Sequence, residues 1–351
     1  MRALTVEPGL PGSLAVTDVP EPRVEHGELL VDGLAVGVCG TDREIAAGEY
    51  GAPPPGRERL VIGHESLGRV RTAPPDCGFT AGDLVVGVVR RPDPVPCGAC
   101  AHGEPDMCRN GRFTERGISG LDGYASPVWA LDPGFAVRLS PGLERTGVLL
   151  EPASVVAKAW EQVQRVGERS WFAPRRALVT GAGPIGLLAA LLAVQRGLDT
   201  HVLDVVADGP KPELVRALGA TYHHDGLDAA VADGEPDVVI EATGVSSVVF
   251  GALAATAPYG IVCLTGVSSG GRPIELDGGA LNRELVLEND AVIGSVNANR
   301  RHFTAAASAL ATADPAWLER LITRRLPLER ADEAFEPHDG DVKVVLDVTA
   351  G

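Results

Sequence analysis

The segment Arg176-Ala-Leu-Val-Thr-Gly-Ala-Gly-Pro-Ile-Gly186 joins a short apolar run to three glycines spaced as Gly-x-Gly-x-x-Gly. Residues 176–180 are typical of a buried strand, and the apolar residues that continue to Arg196 are typical of a helix. In this context the first glycine permits a tight turn, the second lets the backbone approach a pyrophosphate, and the third lets helix and strand pack closely. The segment therefore predicts a dinucleotide-binding unit, whereas an isolated match would be equally consistent with a plain glycine-rich turn.

Further strand-like runs alternate with helical segments downstream, which predicts a parallel sheet with right-handed crossovers. These runs are residues 200–204, 221–223, 237–242, 260–265 and 291–296, with a helical segment at 212–218. The alternation indicates that the glycine segment belongs to a doubly wound domain.

Asp204 ends the second strand-like run, 18 residues after Gly186. A carboxylate there can accept a hydrogen bond from the ribose 2′-hydroxyl of NAD, and it repels the 2′-phosphate of NADP. Val205 and Val206 follow and carry no guanidinium that could bind this phosphate. The sequence therefore predicts NAD in preference to NADP. Nearby arginines leave some NADP use open; they are Arg175, Arg176 and Arg196.

The 351-residue chain has the composition of a globular protein with two domains, with 45% hydrophobic residues. Its net charge of −16 argues against nucleic acids and anionic membrane surfaces as partners. The N-terminal residues run straight into acidic and proline-rich sequence, and the longest apolar run, near residues 187–194, is too short to span a bilayer. We therefore expect a cytoplasmic protein whose six cysteines are metal ligands or buried thiols rather than disulfides.

The first 150 residues carry short apolar runs broken by glycine and proline, which predicts a β-rich domain with long loops. The runs are residues 29–36, 61–62, 68–70, 84–89, 124–129 and 136–139. A helical pattern follows over residues 152–166. The tail predicts helices at 303–311 and 315–323 and a closing strand at 342–348.

The stretch Gly37-Val-Cys-Gly-Thr-Asp42 places the Cys39 thiol and the Thr41 hydroxyl directly after a strand-like run. His64 and Glu65 follow in a loop, His64 being 25 residues after the cysteine. Thiolate, imidazole and carboxylate ligands suit zinc, and a catalytic zinc needs three protein ligands and an open position. Each residue has a simpler interpretation, as a buried thiol, a capping histidine or a solvated acid. Their joint occurrence with a dinucleotide fingerprint favours the metal.

Glu151 follows the apolar pair Leu149-Leu150 at the junction between the predicted domains. One interpretation makes it the third zinc ligand, with Glu65 either bound directly or exchanging with water. The other makes it an acidic residue that is stabilised by a helix N-terminus. Asp42 has no assigned role, and we expect it to be structural.

A second cluster reads Cys97-Gly-Ala-Cys-Ala-His-Gly-Glu-Pro-Asp-Met-Cys108. The thiols of Cys97, Cys100 and Cys108 suggest a structural zinc site, which normally has four ligands. His102 can supply the fourth ligand, and Glu104 or Asp106 can substitute for it. The alternative is a lobe that has lost its metal.

Taken together, these motifs resemble the zinc-dependent medium-chain dehydrogenases, and within them the prokaryotic glucose 1-dehydrogenases. The general likeness rests on Gly37–Asp42, Gly63-His-Glu65, the glycine segment and Glu241-Ala-Thr-Gly244. The narrower one rests on Val89-Arg-Arg-Pro92, Phe113-Thr-Glu-Arg-Gly-Ile-Ser-Gly120, Asp122-Gly-Tyr124, Leu150-Glu-Pro152, Asn282-Arg-Glu284, Gly294-Ser-Val-Asn297 and His302-Phe303. The resemblance implies an α/β protein with a β-rich GroES-like catalytic domain, residues 1–150 and 299–351, and a doubly wound Rossmann cofactor domain, residues 151–298.

The resemblance also implies residue roles. Cys39, His64 and Glu151 would bind the catalytic zinc, with Glu65 as a fourth or exchanging ligand. Thr41 would hydrogen-bond the reacting oxygen. The sugar contacts would be Glu115, Glu151 and Asn297, with Arg90 beside them. The cofactor contacts would be Gly181, Gly183, Pro184, Ile185, Gly186, Asp204, Thr243, Gly266 and Asn297.

The activity implied by the resemblance is oxidation of the anomeric carbon of an aldose such as D-glucose to the lactone, with hydride transfer to the nicotinamide. It further implies a homodimer or homotetramer built through the cofactor domains. One alternative is zinc-dependent oxidation of another polyol, an aminocyclitol or a secondary alcohol. Another is a zinc-free, quinone-reductase-like enzyme or a dinucleotide-binding regulator. Those proteins usually lack the zinc ligands, so metal analysis distinguishes them from a zinc enzyme.

Overall fold

A computed structural model describes residues 1–25, 27–268, 270 and 273–349. The chain divides into two compact units, one formed by Met1–Ser154 and the chain from Asn297 onward, the other by Val155–Val296. The predicted domain limits, 150/151 and 298/299, differ from this division by a few residues, because the helix Leu150–Gly167 runs through the first boundary.

The strands of the described chain are numbered in chain order. They are β1 Arg2–Val6, β2 Ala15–Asp18, β3 Leu29–Val38, β4 Leu60–Val61, β5 Glu65–Thr72, β6 Leu84–Gly87, β7 Arg90–Arg91, β8 Thr114–Arg116, β9 Gly120–Leu121, β10 Val128–Leu131, β11 Ala136–Arg138, β12 Arg176–Thr180, β13 Asp199–Leu203, β14 Thr221–His223, β15 Val238–Glu241, β16 Ile261–Leu264, β17 Ala291–Gly294, β18 Ile322–Pro327 and β19 Lys343–Asp347.

The helices are numbered in the same way. They are α1 Gly40–Ala46, α2 Gly98–Ala101, α3 Leu150–Gly167, α4 Pro184–Gln195, α5 Pro210–Ala217, α6 Leu227–Val231, α7 Ser246–Leu253, α8 Gly278–Glu288, α9 Arg300–Thr312, α10 Pro315–Leu321 and α11 Ala331–Phe335. Within the residues described above, none of these helices is long and apolar enough to cross a membrane.

The second unit is built on a six-stranded parallel sheet in the order β14-β13-β12-β15-β16-β17. The order reverses between β12 and β15, the switch point at which doubly wound sheets bind ligands beyond the carboxyl ends of their strands. Leu178, Val239 and Val262 point into the buried core from three adjacent strands. Gly186 lies so close to the turn before α4 that a β-carbon there would be 1.8 Å from the Gly181 carbonyl oxygen. This contact explains why the third glycine of the segment is required.

The first unit contains a seven-stranded sheet with the path β11-β6-β5-β3-β19-β18, and β10 also pairs with β3. Two three-stranded sheets, β2-β1-β4 and β7-β8-β9, complete it. Strands β5 and β19 pair with the carboxyl end of β3, where Cys39 follows, and β10 pairs with the amino-terminal half of β3. In the sequence, the second unit is therefore inserted between β11 and β18, two strands of the same sheet.

The structure corrects several local predictions. The predicted helix at 315–323 ends at Leu321, and β18 begins at the next residue because its backbone pairs with β19. The predicted strand at 124–129 begins only at Val128, because the backbone before it bonds to a loop: the Tyr124 N–H donates to the Gly63 carbonyl oxygen at 2.9 Å. Short or weakly alternating elements are not predicted at all; they include β1, β2, β7, β8, β9 and α8.

Candidate metal and cofactor sites

Cys39 is the N-cap residue of α1, directly after the last residue of β3. The thiol is half-buried, and the Cys39 backbone N–H donates to Asp42 Oδ2 at 2.9 Å. Thr41 lies in the first turn of α1 and is partly exposed. No described residue forms a hydrogen bond with its hydroxyl, which is therefore available to a ligand.

The structure brings three of the predicted zinc ligands together. One ligand atom each from Cys39, His64 and Glu65 lie within 4.8 Å of one another. His64 precedes β5 and Glu65 opens it, and both side chains are buried. A thiolate, an imidazole and a carboxylate at this spacing fit the chemistry of a zinc ion.

Asp42 links two members of this cluster. Its Oδ2 accepts from the Cys39 backbone, and its Oδ1 lies 3.3 Å from His64 Nδ1. A carboxylate on one ring nitrogen orients the imidazole, increases its basicity and leaves the other nitrogen for a metal. Asp42 therefore has a positioning role that the sequence did not predict. Its spacing of three residues from a candidate thiolate ligand is the one signal that could have indicated it.

The charge of Asp42 also acts on the titration of His64. Burial opposes protonation of the ring, but the Asp42 carboxylate and then Cys39 outweigh it. The pKa of His64 is therefore raised well above its ordinary value. Protons and a metal ion compete for this imidazole, because only the neutral ring is a ligand.

Glu65 makes a buried ion pair that was not predicted from the sequence. Lys343 Nζ contacts both carboxylate oxygens of Glu65 and also donates to the Val38 carbonyl oxygen at 3.0 Å. Burial alone would lower the pKa of Lys343, but the charges of Glu65 and Cys39 raise it. A β-carbon at Gly37 would lie 1.9 Å from Glu65 Oε2, so only glycine fits beside this pair.

Glu151 lies in the first turn of α3 and is buried, but it is outside the group of mutually close ligand atoms. Burial raises the pKa of Glu151 to about 7. The positive charges of His64 and Lys343 oppose this rise, and the carboxylate of Glu65 adds to it. Glu151 thus shares the electrostatic environment of the cluster, and its role as a zinc ligand stays a prediction.

The three candidate sugar contacts also lie together. Arg90 on β7 is directly opposite Glu115 on β8, and both Nε and Nη2 of its guanidinium lie 3.0 Å from Glu115 Oε1. Asn297 Nδ2 donates to the same oxygen at 2.6 Å. Arg90 is therefore turned toward Glu115, which supports a role behind the carboxylate rather than in direct contact with a sugar.

The second cysteine cluster assembles with three thiols. The sulfur atoms of Cys97, Cys100 and Cys108 lie within 4.8 Å of one another. Backbone N–H groups, first that of Arg109, lower the pKa of Cys97 to about 6. A thiolate held by backbone donors is suited to a metal.

The structure does not bring a fourth ligand to these thiols. His102 is exposed, and its Nδ1 lies 2.6 Å from the Gly98 carbonyl oxygen. Glu104 pairs with Arg301, and Asp106 accepts from Asn299. Among the described residues, three of the four ligands of a structural zinc are therefore present, and His102 lies outside the group.

A cavity of about 600 Å³ in the second unit is lined by four of the nine predicted cofactor contacts. Gly181, Gly183, Asp204 and Thr243 line it. Gly183 is the N-cap of α4, so the helix N-terminus can stabilise phosphate groups there.

Other predicted contacts lie around this cavity. Pro184, Ile185 and Gly186 form the first turn of α4. Gly266 follows β16, and its backbone N–H donates to the Glu241 carbonyl oxygen at 3.0 Å.

Two charged residues in this region were not predicted as site residues. Glu241 is fully buried and accepts from the backbone N–H groups of Thr243 and Gly244, so it shapes the loop after β15. Lys211 lines the cavity, and its Nζ lies 3.1 Å from Asp204 Oδ2. The cavity therefore contains a cation as well as the predicted carboxylate.

The role of Asp42 can be tested with Asp42→Asn. Loss of the carboxylate facing His64 should weaken zinc binding about 10–100-fold, the usual effect of removing such a partner of a metal-ligating histidine. Titration of the metal-free protein against a competing chelator measures this affinity. The control is Asp32→Asn, which removes an exposed carboxylate that pairs with Arg71 on the surface of the same unit. Equal zinc affinities in the two variants would contradict the assignment.

Comparisons with known proteins agree with this architecture. The family described as "Alcohol dehydrogenase GroES-like domain" matches residues 25–167, and "Glucose dehydrogenase C-terminus" matches residues 144–348. A glucose 1-dehydrogenase of Methanocella arvoryzae is 41% identical over 359 residues and covers 100% of both chains. One from Thermoproteus tenax is 42% identical over 360 residues and covers 99% of both chains.

A solved structure of Haloferax mediterranei glucose dehydrogenase in complex with NADP, Zn and gluconolactone is also similar. It is 35% identical, covers 100% of both chains and superimposes with a TM-score of 0.91. The predicted fold class, a GroES-like unit with a Rossmann unit, is confirmed. The chain belongs to the glucose dehydrogenase family of zinc-dependent medium-chain alcohol dehydrogenases.

Proposed function

We propose that this chain oxidises the anomeric carbon of an aldose such as D-glucose to the lactone and transfers the hydride to a nicotinamide cofactor. The observation that carries the proposal is the arrangement of Glu115. Its Oε1 accepts from Arg90 and Asn297, while no described residue donates to Oε2. A carboxylate with one open oxygen is suited to accept hydrogen bonds from a polyhydroxylated substrate.

The first unit contains the groups for the oxidation itself. A zinc ion held by Cys39, His64 and either Glu65 or Glu151 would act as a Lewis acid that lowers the pKa of the substrate hydroxyl. The Thr41 hydroxyl would hydrogen-bond the reacting oxygen and pass on its proton. Asp42 would keep the imidazole of His64 oriented, and Glu115 would hold the sugar for hydride transfer from C1.

The charges around Glu115 favour a neutral sugar over a phosphorylated one. Arg90 is the cation in contact with this carboxylate, and its nitrogens are engaged by Glu115 and by the Asp106 carbonyl oxygen. A phosphate would meet the open oxygen of Glu115 and would be repelled by it. The relatives named as glucose 1-dehydrogenases support the same substrate class.

A substrate panel tests the proposal. Glucose, galactose, sorbitol and threonine are offered to the zinc-loaded protein with NAD and with NADP, and reduced cofactor is measured by absorbance. We expect an aldose to be oxidised, because the open oxygen of Glu115 can accept hydrogen bonds from ring hydroxyls. Turnover of sorbitol or threonine without any aldose would contradict the sugar assignment and favour the other alcohols.

The same preparation separates a zinc enzyme from a zinc-free reductase. Metal analysis should find zinc, and Cys39→Ala should abolish turnover while cofactor binding to the second unit is retained. Normal turnover of Cys39→Ala would contradict the role of the cysteine. Absence of zinc after gentle purification would favour the quinone-reductase-like alternative.

We further propose that NAD is preferred and that Lys211 permits some use of NADP. Burial raises the pKa of Asp204, but the Ala182 backbone N–H and Lys211 together lower it by more. The net shift of the pKa is downward, so the carboxylate is charged at neutral pH. This charge opposes a 2′-phosphate, whereas the ammonium group 3.1 Å away attracts it. The NADP bound to the Haloferax mediterranei enzyme shows that this fold also accepts the phosphorylated cofactor.

Cofactor preference can be measured as the ratio of kcat/KM for NADP to kcat/KM for NAD. Asp204→Ala should raise this ratio about tenfold or more, because a like-charge contact with the 2′-phosphate is removed. Lys211→Met should lower it for the converse reason. Arg175→Ala is the control, since this exposed side chain does not line the cavity. An unchanged ratio in Asp204→Ala would refute the proposed role of the aspartate.

We also propose that the chain forms a homodimer or homotetramer through the second unit. Among the described strands, β17 pairs only with β16 and so forms an edge of the parallel sheet, which can pair with another chain. Val292 on this strand is exposed, and Val286 and Leu287 on α8, the helix that precedes β17 in the sequence, are 66% and 62% exposed. Exposed apolar side chains are typical of an interface.

Light scattering during size-exclusion chromatography tests this assembly. Val286→Asp combined with Leu287→Asp should reduce the molar mass, because charged side chains are costly to bury between subunits. Leu10→Asp changes an exposed leucine of the first unit and should leave the mass unchanged. A monomeric mass for the unmodified chain would overturn the proposal.

A further inference from the structure

The carboxylate of Glu115 is held from one side only. Three donor nitrogens, two from Arg90 and one from Asn297, all reach Oε1. The side chain is buried, and the remaining oxygen, Oε2, receives no hydrogen bond from the described residues. The direction in which Oε2 faces is therefore set by the groups that hold Oε1.

The Arg90 side chain is itself held by several contacts. Its third nitrogen, Nη1, donates to the Asp106 carbonyl oxygen at 3.2 Å, and its Cζ lies 3.7 Å from the centroid of the Phe113 ring. Its backbone pairs with β8 directly opposite Glu115. Turning the guanidinium toward a bound sugar would break these contacts, so Arg90 is placed to act on the sugar through Glu115.

The cysteine lobe, residues 97–108, provides the carbonyl oxygen that accepts from Arg90. Asp106 lies in the short 3-10 turn Pro105–Met107, immediately before Cys108. While its carbonyl oxygen accepts from Arg90, its Oδ1 accepts from Asn299 Nδ2 at 2.7 Å. Both residues of this second contact are buried. One residue of the lobe thus contacts both Arg90 and the segment that carries Asn297.

This segment needs such support, because Asn297 has a left-handed backbone conformation with φ of 62°. A non-glycine residue in this region is strained and persists only where its surroundings hold it. Two residues later, Asn299 caps α9 through Arg301 N and binds Asp106 through its side-chain amide. Arg301 adds an ion pair with Glu104 of the lobe, with 3.0 Å between the charged atoms.

We propose that Arg90 and Asn299 are positioning residues through which the cysteine lobe sets the affinity for the sugar. The lobe fixes the positions of Arg90 and of the segment that carries Asn297, and these two groups together direct Oε2 of Glu115 toward the substrate. The thiols of the lobe therefore influence sugar binding without touching the sugar. This inference rests on the proposed aldose dehydrogenase function and assigns a determinant of its substrate affinity.

A double-mutant cycle tests whether Arg90 acts through Glu115. Arg90→Lys keeps the charge but cannot reproduce the paired contact, because an ammonium lacks the planar fork of a guanidinium. It should raise KM for the sugar about tenfold, the value of one charged hydrogen bond, with kcat and KM for the cofactor nearly unchanged.

The second arm of the cycle introduces Arg90→Lys into Glu115→Gln. There the further rise in KM for the sugar should be small, since the anionic oxygen that Arg90 holds is already gone. Independent, multiplicative effects of the two substitutions would overturn the role assigned to Arg90. So would equal rises in KM for sugar and for cofactor, which a general structural defect would produce.

Asn299→Ser tests the other contact of the lobe. Serine is a good N-cap residue and should preserve α9, but its short side chain cannot reach Asp106. We expect KM for the sugar to rise severalfold while KM for the cofactor stays close to that of the unmodified enzyme. An unchanged KM would overturn the role assigned to Asn299.

The thiols are tested by Cys108→Ser with Cys77→Ser as its matched control. Cys77 belongs to the same unit and lies outside the lobe, with its Sγ 3.7 Å from the Phe79 carbonyl oxygen. Cys108→Ser should raise KM for the sugar, and Cys77→Ser should not. Equal KM values in the two variants would overturn the link between the lobe and the sugar.

The panel with the unmodified enzyme separates this inference from the function on which it rests. If the unmodified enzyme oxidises no aldose, the proposed function itself is wrong. If it oxidises an aldose and the Arg90, Asn299 and Cys108 variants keep its KM for that sugar, the function stands and the inference is wrong.

Discussion

The buried ion pair between Lys343 and Glu65 is the interaction on which the rest of the candidate zinc site depends. Asp42, Glu65 and Glu151 place three buried carboxyl groups beside the half-buried thiol of Cys39. Burying several like charges is very costly unless positive charge is supplied beside them. Lys343 is one of only three lysines in the chain, and its side chain is buried against Glu65 and the end of β3. The cluster of acidic ligands can exist in this fold because that cation is built into the adjacent strand.

The second unit was the more predictable part of the chain, since its signals are local. The alternation of apolar strands with helices and the spacing of Gly181, Gly183 and Gly186 predict its sheet, and β12 and β14 have the predicted limits. In the first unit, the ligand residues Cys39, His64 and Glu65 were predictable from their chemistry, and the structure brings them together. Lys343 was not, because it reaches Glu65 across 278 residues through the pairing of β3 with β19, and no local pattern encodes that register. His102 was offered as a ligand on its nearness in sequence alone, and a backbone contact within its own helical turn keeps it from the thiols.

Hydrogen bonds orient three carboxylates of the candidate sites, those of Asp42, Glu115 and Asp204. Asp42 divides its oxygens between the backbone of one candidate ligand and the ring of another. Glu115 accepts the hydrogen bonds of Arg90 and Asn297 on one oxygen, Oε1, and its other oxygen stays open. Asp204 receives Ala182 N–H and Lys211 on Oδ2 and Val206 N–H on Oδ1. In each case a backbone or side-chain donor fixes the orientation of the carboxylate before a ligand arrives, which limits the entropy lost on binding.

The position of β19 between β3 and β18 in the sheet of the first unit has a consequence for biosynthesis. As the chain leaves the ribosome, β3 and β5 emerge early, but β19 follows only after the whole second unit. Domains generally fold as units during synthesis, so the inserted unit can close its parallel sheet while the first unit still lacks two strands. Cys39 and Glu65 are therefore synthesised long before Lys343, the cation that offsets their negative charge. The metal site can reach its final electrostatic balance only after the second unit and β19 have been made.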